Sequence, residues 1–361
     1  MKQLISTAVL CFALVFVAAH SALQLQVRAE PSRKVTAFGW QSYCALEYEH
    51  EWSASDIEPV VVASIRPSET SRTVHVFPRG GDLYVWDTSN GSQFTISGDV
   101  AIPAKIIDCL HFRYRGMDFS FKDDKISACR DNACESIDIF EGTFPYVYAA
   151  ARQSVLVGTN YGDVLLFKDS TWCRMAVDEA GVYRCPKDTV LPAKTQPSNQ
   201  FYSSLTLQGK TLVGEYPTGL LYEFDGSSLF LADMPQPEHL PRDAESQSIA
   251  FYCGDIYVGY WPSGEVLRFD GKKWHEPIRL FSKSFSGTYP HQREAEEAGL
   301  PYNFFGRRAQ ALVPYQDSLY AAASSKSAWY VDTPAEIGED ANEYGVVHRI
   351  WKPGCSTTHM R

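Results

Sequence analysis

A repeat with a period of 45 residues constrains the fold of this chain more than any other feature of its sequence. Residues 207–229 align without a gap with residues 252–274. Four glycines and one aspartate coincide at this offset: Gly209 with Gly254, Gly214 with Gly259, Gly219 with Gly264, Asp225 with Asp270, and Gly226 with Gly271. A third copy begins at Ser154 and is one residue shorter in the turn after its Val-Gly pair.

Each copy has the composition of short β-strands joined by tight turns. Tyr, Val, Leu and Phe alternate with polar residues, and Gly, Asp or Asn stands at the corners. Units of about 40–50 residues with three or four strands are typical of propeller blades, because sheets stacked radially cover the faces that one sheet cannot bury alone. Regularly spaced strands also fit a β-sandwich, but glycines that keep their register favour the propeller.

The copies resemble β-propeller repeats of the Kelch-like or regulator-propeller kind. The resemblance rests on FDG-x-x-W at residues 269–274 and YVG-x-x-x-x-G at residues 257–264, and it is clear over residues 154–274. It implies an all-β chain whose residues 22–361 form one β-propeller domain of six or seven four-stranded blades. The strand pairs are expected to begin near Val74, Cys109, Tyr146, Phe201, Ser248 and Ala309. Residues 35–67 form either a seventh blade or a strand that closes the ring.

Residues 1–21 have the pattern of a secretory signal peptide. Lys2 precedes an apolar run from Leu4 to Ala19, and Ala19 and Ser21 stand at the −3 and −1 positions of a cleavage before Ala22. The run is shorter than the roughly 20 apolar residues that span a bilayer comfortably, which favours cleavage over a membrane anchor. We therefore expect a secreted or periplasmic protein with no stable membrane insertion after cleavage.

Eight cysteines remain once Cys11 is removed with the signal peptide. An even number in an exported chain predicts disulfides. Proximity favours Cys129 with Cys134 and Cys173 with Cys185. The cysteines left for long-range bridges are Cys44, Cys109, Cys253 and Cys355. A bridge between Cys44 and Cys355 would lock a ring that an N-terminal strand closes.

The charge balance excludes one class of partner. Lys and Arg number 33 against 43 Asp and Glu, a net charge of −10, whereas a general nucleic-acid binder needs a basic footprint. We expect no nucleic-acid partner. No spacing typical of a zinc site occurs, and the sequence predicts no metal and no cofactor. Asn90 begins an Asn-Gly-Ser sequon and is a candidate glycosylation site.

The turns between the second and third strands of the blades are predicted to bring aromatic side chains to one face. The candidate substrate-binding residues there are Tyr161, Tyr216, Tyr260 and Trp261, and the last, degenerate copy has Ser324 and Lys326. Aromatic rings with polar neighbours suit the stacking of sugar rings, and Glu215 is a candidate acid, base or acceptor. Alternatively, these rings only cover the ends of the sheets.

A second candidate site lies where about 63 residues, instead of 45, separate equivalent positions, around residues 284–310. Long loops on a rigid scaffold often carry function. The candidate catalytic residues are Tyr289, His291 and Arg307, together with Glu215. A Tyr or His base beside an Arg that neutralises a carboxylate is what β-elimination from a uronic acid requires. Alternatively, the loop only packs over the rim.

Two functions are compatible with these patterns. The first is a secreted propeller that binds an extracellular carbohydrate, with polysaccharide lyase or glycoside hydrolase activity left open. The alternative is a non-catalytic propeller that presents the same face to a protein partner. Convergence of Tyr289 or His291 with Arg307 and Glu215 would favour the first.

Overall fold

The computed structural model describes residues 32–39, 46–51, 57–79, 81–105, 112–131, 133–186, 199–241, 243–284, 306–326 and 340–359. The regular structure in these ranges is β-strand, apart from a 3₁₀ turn at Ala341–Glu343. No helix in the described part of the chain is long and apolar enough to cross a membrane. The chain is therefore all-β, as the repeat predicts.

Three strands precede the first blade. Blades 1 to 5 each contain four antiparallel strands in chain order, whereas blade 6 contains three such strands and a fourth from the N-terminal part of the chain. The preceding strands are β1 (Ser32–Gly39), β2 (Leu46–Glu51) and β3 (Val60–Ile65). Blade 1 contains β4 (Val74–Arg79), β5 (Asp82–Asp87), β6 (Gln93–Ser97) and β7 (Val100–Pro103). Blade 2 contains β8 (Phe112–Tyr114), β9 (Met117–Lys122), β10 (Lys125–Arg130) and β11 (Ala133–Asp138). Blade 3 contains β12 (Pro145–Ala151), β13 (Ser154–Thr159), β14 (Val164–Lys168) and β15 (Thr171–Arg174).

Two short strands, β16 (Ala176–Val177) and β17 (Tyr183–Arg184), extend the outer edge of blade 4. Blade 4 contains β18 (Gln200–Leu207), β19 (Lys210–Tyr216), β20 (Leu221–Phe224) and β21 (Ser228–Leu231). Blade 5 contains β22 (Glu245–Tyr252), β23 (Asp255–Trp261), β24 (Glu265–Phe269) and β25 (Ile278–Arg279). Blade 6 contains β26 (Arg307–Tyr315), β27 (Ser318–Ser325) and β28 (Val346–Trp351), and the last strand of the chain is β29 (Ser356–His359).

The glycines of the repeat mark places where the next blade packs closely. A Cβ at Gly214 would lie 2.6 Å from the Ser246 Cβ, and one at Gly259 would lie 2.6 Å from the Ala309 Cβ. Both distances are too short for an added methyl group. The first strand of the next blade approaches the glycine of the Val-Gly pair in each case. The 45-residue spacing of these glycines thus reflects the packing of blade 4 on blade 5 and of blade 5 on blade 6.

The strand β3 completes blade 6. It pairs antiparallel with β28, with Ile65 opposite Val347 and Val61 opposite Ile350. Of the two readings of residues 35–67, the structure therefore supports a closing strand at residues 60–65. The propeller has six blades in the described part of the chain.

A buried ionic network links blades 5 and 6 beside this closure. The Arg268 guanidinium donates to Asp255 at 2.8 Å and to Glu58, which precedes β3, at 2.6 Å. The ammonium of Lys352, which follows β28, lies 3.1 Å from the same Asp255 carboxylate. Asp255, Arg268 and Lys352 are all buried, so each charge depends on these partners.

The strand β1 of the β1–β2 hairpin lies beside the first strands of four blades. The backbone of β1 pairs with β18 from Val35, opposite Leu207, to Gly39, opposite Ser203. β1 also runs beside the first strands of blades 3, 5 and 6, and β29 pairs with β2. β1 therefore connects blade 4, with which it pairs, to the first strands of blades 3, 5 and 6.

Two of the predicted disulfides are confirmed and one is wrong. Cys129 is bonded to Cys134 and Cys173 to Cys185, as their proximity in sequence predicts. Cys355 is bonded to Cys253, with 5.4 Å between their Cα atoms, and not to Cys44. The physical reason is the position of the segment after β28, which returns to the β22–β23 turn of blade 5. Cys44 and Cys109 lie outside the described residues.

Candidate binding face

Bulges at one level of the propeller shape its candidate binding face. The first strands of blades 3, 4, 5 and 6 each shift register near their start. The extra residues at these bulges are Tyr146, Tyr202, Gln247 and Gln310. A bulge redirects a side chain and is common beside functional sites. The repeated bulges therefore place four amphipathic or polar side chains at equivalent positions around the axis.

Five aromatic rings form a continuous row from blade 3 to blade 5. The ring centroids of Phe144 and Tyr146 are 5.3 Å apart, and those of Tyr146 and Tyr202 are 4.9 Å apart. The row continues from Tyr202 to Tyr216 at 6.5 Å and from Tyr216 to Trp261 at 6.4 Å. These separations are within or close to the range of favourable aromatic contacts. We call these five rings, with Lys326 beside them, the aromatic face.

Lys326 ends the row and belongs to a buried ionic cluster. Its ammonium nitrogen lies 3.6 Å from the centroid of the Trp261 ring and 5.9 Å from that of Tyr216. The same ammonium donates to Glu245 Oε1, while Arg308 Nη2 donates to Glu245 Oε2 at 3.2 Å. Burial lowers the pKa of Lys326 to about 8, although the Glu245 carboxylate opposes that shift.

The structure brings together two of the four predicted substrate-binding residues. Tyr216 and Trp261 are neighbours in the aromatic face. Tyr161 lies in the turn after β13 and is 53% exposed. Tyr260 is 1% exposed and lies in the core, where its hydroxyl donates to the Gly219 carbonyl at 3.3 Å. Because adjacent residues of a strand point to opposite sides, Trp261 points toward Tyr216 and Lys326 and Tyr260 does not, although Trp261 is itself only 2% exposed.

The predicted catalytic residues Glu215 and Arg307 take part in separate local contacts. Glu215 is buried, and its Oε2 accepts hydrogen bonds from the Thr218 hydroxyl and, at 3.0 Å, from the Thr218 backbone N–H. Burial raises the pKa of Glu215 to about 7, and the hydrogen bonds from Thr218 oppose the rise. Arg307 donates to the Lys283 carbonyl and lies 5.0 Å from the Phe281 ring centroid. Tyr289 and His291 lie outside the described residues.

Sequence reasoning missed Glu245, the carboxylate to which the Lys326 ammonium donates. Glu245 is the first residue of β22, where the remaining residues are largely apolar or small. A signal was present, because Glu245 follows Gln200 by 45 residues and both occupy the start of a first strand. Because Gln200 and Glu245 are both polar at this equivalent position, the position is not part of the apolar packing between blades.

The strand order is that of a β-propeller with six blades in the described residues, and the aromatic face is its candidate binding site. No protein-family model matches the chain, and no curated protein matches it.

Solved structures show a distant similarity. A structure of YCF48 bound to D1 peptide has 10% identity and a TM-score of 0.34, over 84% of this chain and 99% of that one. A structure of BBS1N in complex with ARL6DN has 11% identity and a TM-score of 0.31, over 83% and 97%. The computationally designed Ika8 protein has 10% identity and a TM-score of 0.31, over 88% and 80%. The propeller assignment rests on the strand order, and no function is carried over from these proteins.

Proposed function

We propose that this protein is an exported β-propeller that binds a carbohydrate on its aromatic face. The observation that carries the proposal is the continuous row of rings from Phe144 to Trp261. Aromatic rings provide apolar area for the C–H faces of sugars, and the phenol hydroxyls provide hydrogen bonds. Phe144 is 39% exposed, and the row therefore extends from solvent to the buried cluster at Lys326.

Export is supported by two independent features. The pattern of residues 1–21 is that of a signal peptide, and the three disulfides are of a kind that persists in oxidising compartments. Asn90 is exposed in the turn between β5 and β6, where its Nδ2 donates to the Thr70 hydroxyl at 3.0 Å. An exposed turn is accessible to a glycosylating enzyme, so Asn90 stays a candidate glycosylation site.

Binding is better supported than catalysis. The Glu215 carboxylate is buried and accepts two hydrogen bonds from its own turn, and Arg307 is packed on Phe281. Lyase or glycoside hydrolase activity, with Tyr289 and His291 among the catalytic residues, stays a prediction. An assay for the reaction product is needed to test it.

The experiment is a glycan array probed with the mature protein, residues 22–361, and with Tyr216→Ala. Tyr84→Ala is the matched control, because Tyr84 is a half-buried tyrosine of blade 1 that stacks on Phe77. We expect binding by the parent and by Tyr84→Ala, and weaker binding by Tyr216→Ala. Absence of binding across plant, algal and animal glycans would reject the proposal and favour a protein ligand.

Glycans that bind are then incubated with the protein and followed by absorbance of unsaturated uronate and by reducing-end release. Formation of either product would establish lyase or hydrolase activity. Binding without product would identify a non-catalytic carbohydrate-binding protein.

A further inference from the structure

We infer that three arginines in blades 2 and 3, at the ends of these blades that are remote from the aromatic face, bind a sulfated polysaccharide. The residues are Arg115, Arg130 and Arg152, and together with Tyr114 between them we call them the arginine patch. The inference shares with the proposed function only the expected export, because the arginine patch and the aromatic face have no residue in common. Four observations carry it: the position of the arginines, their contacts, their charges and the side chains around them.

The first observation is the position of the arginines in the repeat. Arg115 lies in the turn from β8 to β9, and Arg152 lies in the turn from β12 to β13. Arg130 ends β10 and lies beside the start of β9, at the same end of blade 2 as Arg115. Tyr146 of the aromatic face lies near the start of β12, whereas Arg152 follows the end of that strand. The arginine patch and the aromatic face therefore lie at opposite ends of the blades.

The second observation is the set of contacts that joins the three turns. Arg130 Nη2 donates to the Arg115 carbonyl at 3.3 Å. The guanidinium carbon of Arg115 lies 5.8 Å from the centroid of the Tyr114 ring. The Tyr114 hydroxyl donates to the Arg152 carbonyl of blade 3 at 2.8 Å. The backbone and side-chain contacts therefore make one continuous surface of residues from two neighbouring blades.

The third observation is the charge of this surface. The three arginines of the patch are exposed, and within the described ranges none of their guanidinium groups forms an ion pair. Asp118 pairs instead with Arg113, at 3.4 Å. Asp131 follows Arg130 in the chain, is exposed as well, and pairs with no arginine of the patch. In a chain with a net charge of −10, these unpaired cations create a local positive potential that attracts an anionic ligand.

The chemistry of the guanidinium group indicates which anion fits. Its N–H donors form a planar fork that binds two oxygens of one oxyanion. Three such forks on three separate segments match a ligand that carries several oxyanions along a chain. A sulfate ester keeps its negative charge at all ordinary pH values, so it suits a surface of permanently charged arginines.

The fourth observation is the absence of large apolar side chains around the arginines. The exposed residues beside them in the described turns are Gly116, Asp131, Ala133 and Gln153, and the large exposed apolar residues of the described chain lie elsewhere. Proteins that bind a membrane surface insert apolar side chains beside their basic residues. The composition therefore favours a soluble polyanion over a membrane. The net charge of −10 argues against nucleic acid, which leaves a polysaccharide as the polyanion for an exported protein.

The test measures binding of heparin oligosaccharides, used as the sulfated probe, to the mature protein, residues 22–361, by calorimetry. Desulfated oligosaccharides of the same length are the matched ligand, because they keep the uronate carboxylates and lose the sulfate esters. We expect the desulfated ligand to bind about tenfold more weakly or worse, since it lacks the oxyanions that the arginine forks accept. The affinity for the sulfated probe should fall as the salt concentration rises, because salt screens exposed charges.

A variant that combines Arg115→Gln, Arg130→Gln and Arg152→Gln locates the site. We expect each single substitution to weaken binding of the sulfated probe about two- to fivefold, and the combination about tenfold or more, as for exposed ion pairs. Glutamine fits the turns, because Gln208 and Gln316 occupy the equivalent positions of blades 4 and 6, where φ is 54° at both.

The matched control removes the same number of positive charges from exposed residues of blade 5. It combines Lys272→Gln, Lys273→Gln and Arg279→Gln. We expect it to bind the sulfated probe as the parent does. Circular dichroism and thermal unfolding establish that both combined variants fold.

Several outcomes would overturn the inference. The first is a loss of affinity in the control as large as in the arginine variant, because overall charge would then account for binding. Equal binding of the sulfated and desulfated oligosaccharides would overturn it as well. So would tighter binding of anionic phospholipid vesicles or of polyglutamate than of the sulfated probe.

A competition experiment separates the inference from the proposed function. A neutral glycan that binds on the array should not compete with the sulfated probe, and its binding should be unchanged in the arginine variant. Competition between the two would place the sulfated probe on the aromatic face, overturn the inference and support the proposed function. Absence of binding by the sulfated probe would overturn the inference alone, and absence of binding by neutral glycans would leave it standing.

Discussion

The ammonium of Lys326 lies 3.6 Å from the centroid of the Trp261 indole, and the same ammonium donates to Glu245. The contact joins the aromatic row to the ionic cluster. A cation held on an indole away from water is worth about 2 kcal/mol, more than at an exposed site. Trp261 and Lys326 come from blades 5 and 6, so this contact also fixes how the two blades meet at the aromatic face.

Replacing the indole tests the role of the aromatic row. Trp261→Ala is expected to weaken glycan binding by about 1–3 kcal/mol, which is roughly 5- to 150-fold, because a buried aromatic anchor is lost. Trp261→Phe keeps a ring and should lose less. Trp172→Ala, in the outer strand of blade 3, is the control, and calorimetric affinity is the measurement. Unchanged affinity in Trp261→Ala would exclude the row as the binding surface.

The affinity for a ligand that contacts the Lys326 ammonium is expected to fall as the pH rises through about 8. Burial lowers the pKa of Lys326 to about 8 from 10.5, so the free protein loses this proton, and with it the positive charge of the ammonium, over that range. Glu245 and Arg308 are the charged groups that act on Lys326. Titration calorimetry between pH 6 and 9.5 measures the effect.

Lys326→Arg provides the comparison for that profile, because a guanidinium stays charged throughout the range. Its affinity should vary little with pH. A parent protein with a flat profile would show that the protonation of Lys326 does not contribute to binding.

Stability is expected to depend on pH through Glu215. Its pKa in the folded protein is raised to about 7 from 4.5, so the folded state binds more protons than the unfolded state between these values. The contribution of Glu215 to the free energy of unfolding is fully present below about pH 4.5 and is lost as the pH rises to about 7. The change is on the order of 3 kcal/mol. Urea unfolding at pH 5 and pH 8 measures it.

Glu215→Gln keeps the shape and an acceptor for Thr218 but does not titrate. The difference in the free energy of unfolding between the parent and this variant should therefore favour the parent more at pH 5 than at pH 8. A difference that is the same at both pH values would contradict the raised pKa.

The repeat glycines predict a graded loss of stability. Gly259→Ala places a methyl group 2.5 Å from the Ser248 Oγ and 2.8 Å from the Ala309 carbonyl oxygen, and should cost about 1–3 kcal/mol of stability. Gly158→Ala, where the nearest atoms are at 3.0 and 3.3 Å, should cost less. Chemical unfolding of both variants measures their free energies of unfolding. A Gly158→Ala variant that is less stable than Gly259→Ala would contradict the prediction.

The disulfides predict unequal contributions to stability. The Cys253–Cys355 bond closes a loop with a sequence separation of 102, and the Cys129–Cys134 bond closes one with a separation of 5. From loop closure alone the first should contribute about 4.7 kcal/mol and the second about 2 kcal/mol. Unfolding of the two double Cys→Ala variants under non-reducing conditions compares them. Equal losses would contradict the entropic account.

The architecture could be predicted from the sequence because the same packing contact recurs at a fixed interval. The next blade approaches so closely at Gly214 and at Gly259 that only glycine fits. The interval between these two glycines therefore equals the interval between successive blades. The Cys129 and Cys173 bonds follow from short separations along the chain. The partner of Cys355 could not be predicted, because it depends on where the segment after β28 returns to blade 5.

The site was predicted in part for a related reason. The 45-residue alignment placed Tyr216 and Trp261 at one position of the repeat, and the structure brings them together. Tyr260 was wrongly assigned to the same face. It and Trp261 were treated as residues of a turn, whereas both belong to β23, in which adjacent side chains point to opposite sides. Glu245 and Lys326 meet only through the packing of blade 5 on blade 6, and their 81-residue separation gives no local signal.

The pairing of β3 with β28 has a consequence for the order in which the molecule can fold. A ribosome makes Val61 long before its partner Ile350, and every strand of blades 1 to 5 is synthesised in between. Contacts of such long sequence separation slow folding, because the intervening chain must first be ordered. Blade 6 can therefore be completed only after blades 1 to 5 have been synthesised, and until then β3 and the outer edge of β28 are unpaired strand edges of the kind that aggregate. For a chain that folds after export, the vulnerable interval is the time before these two strands meet.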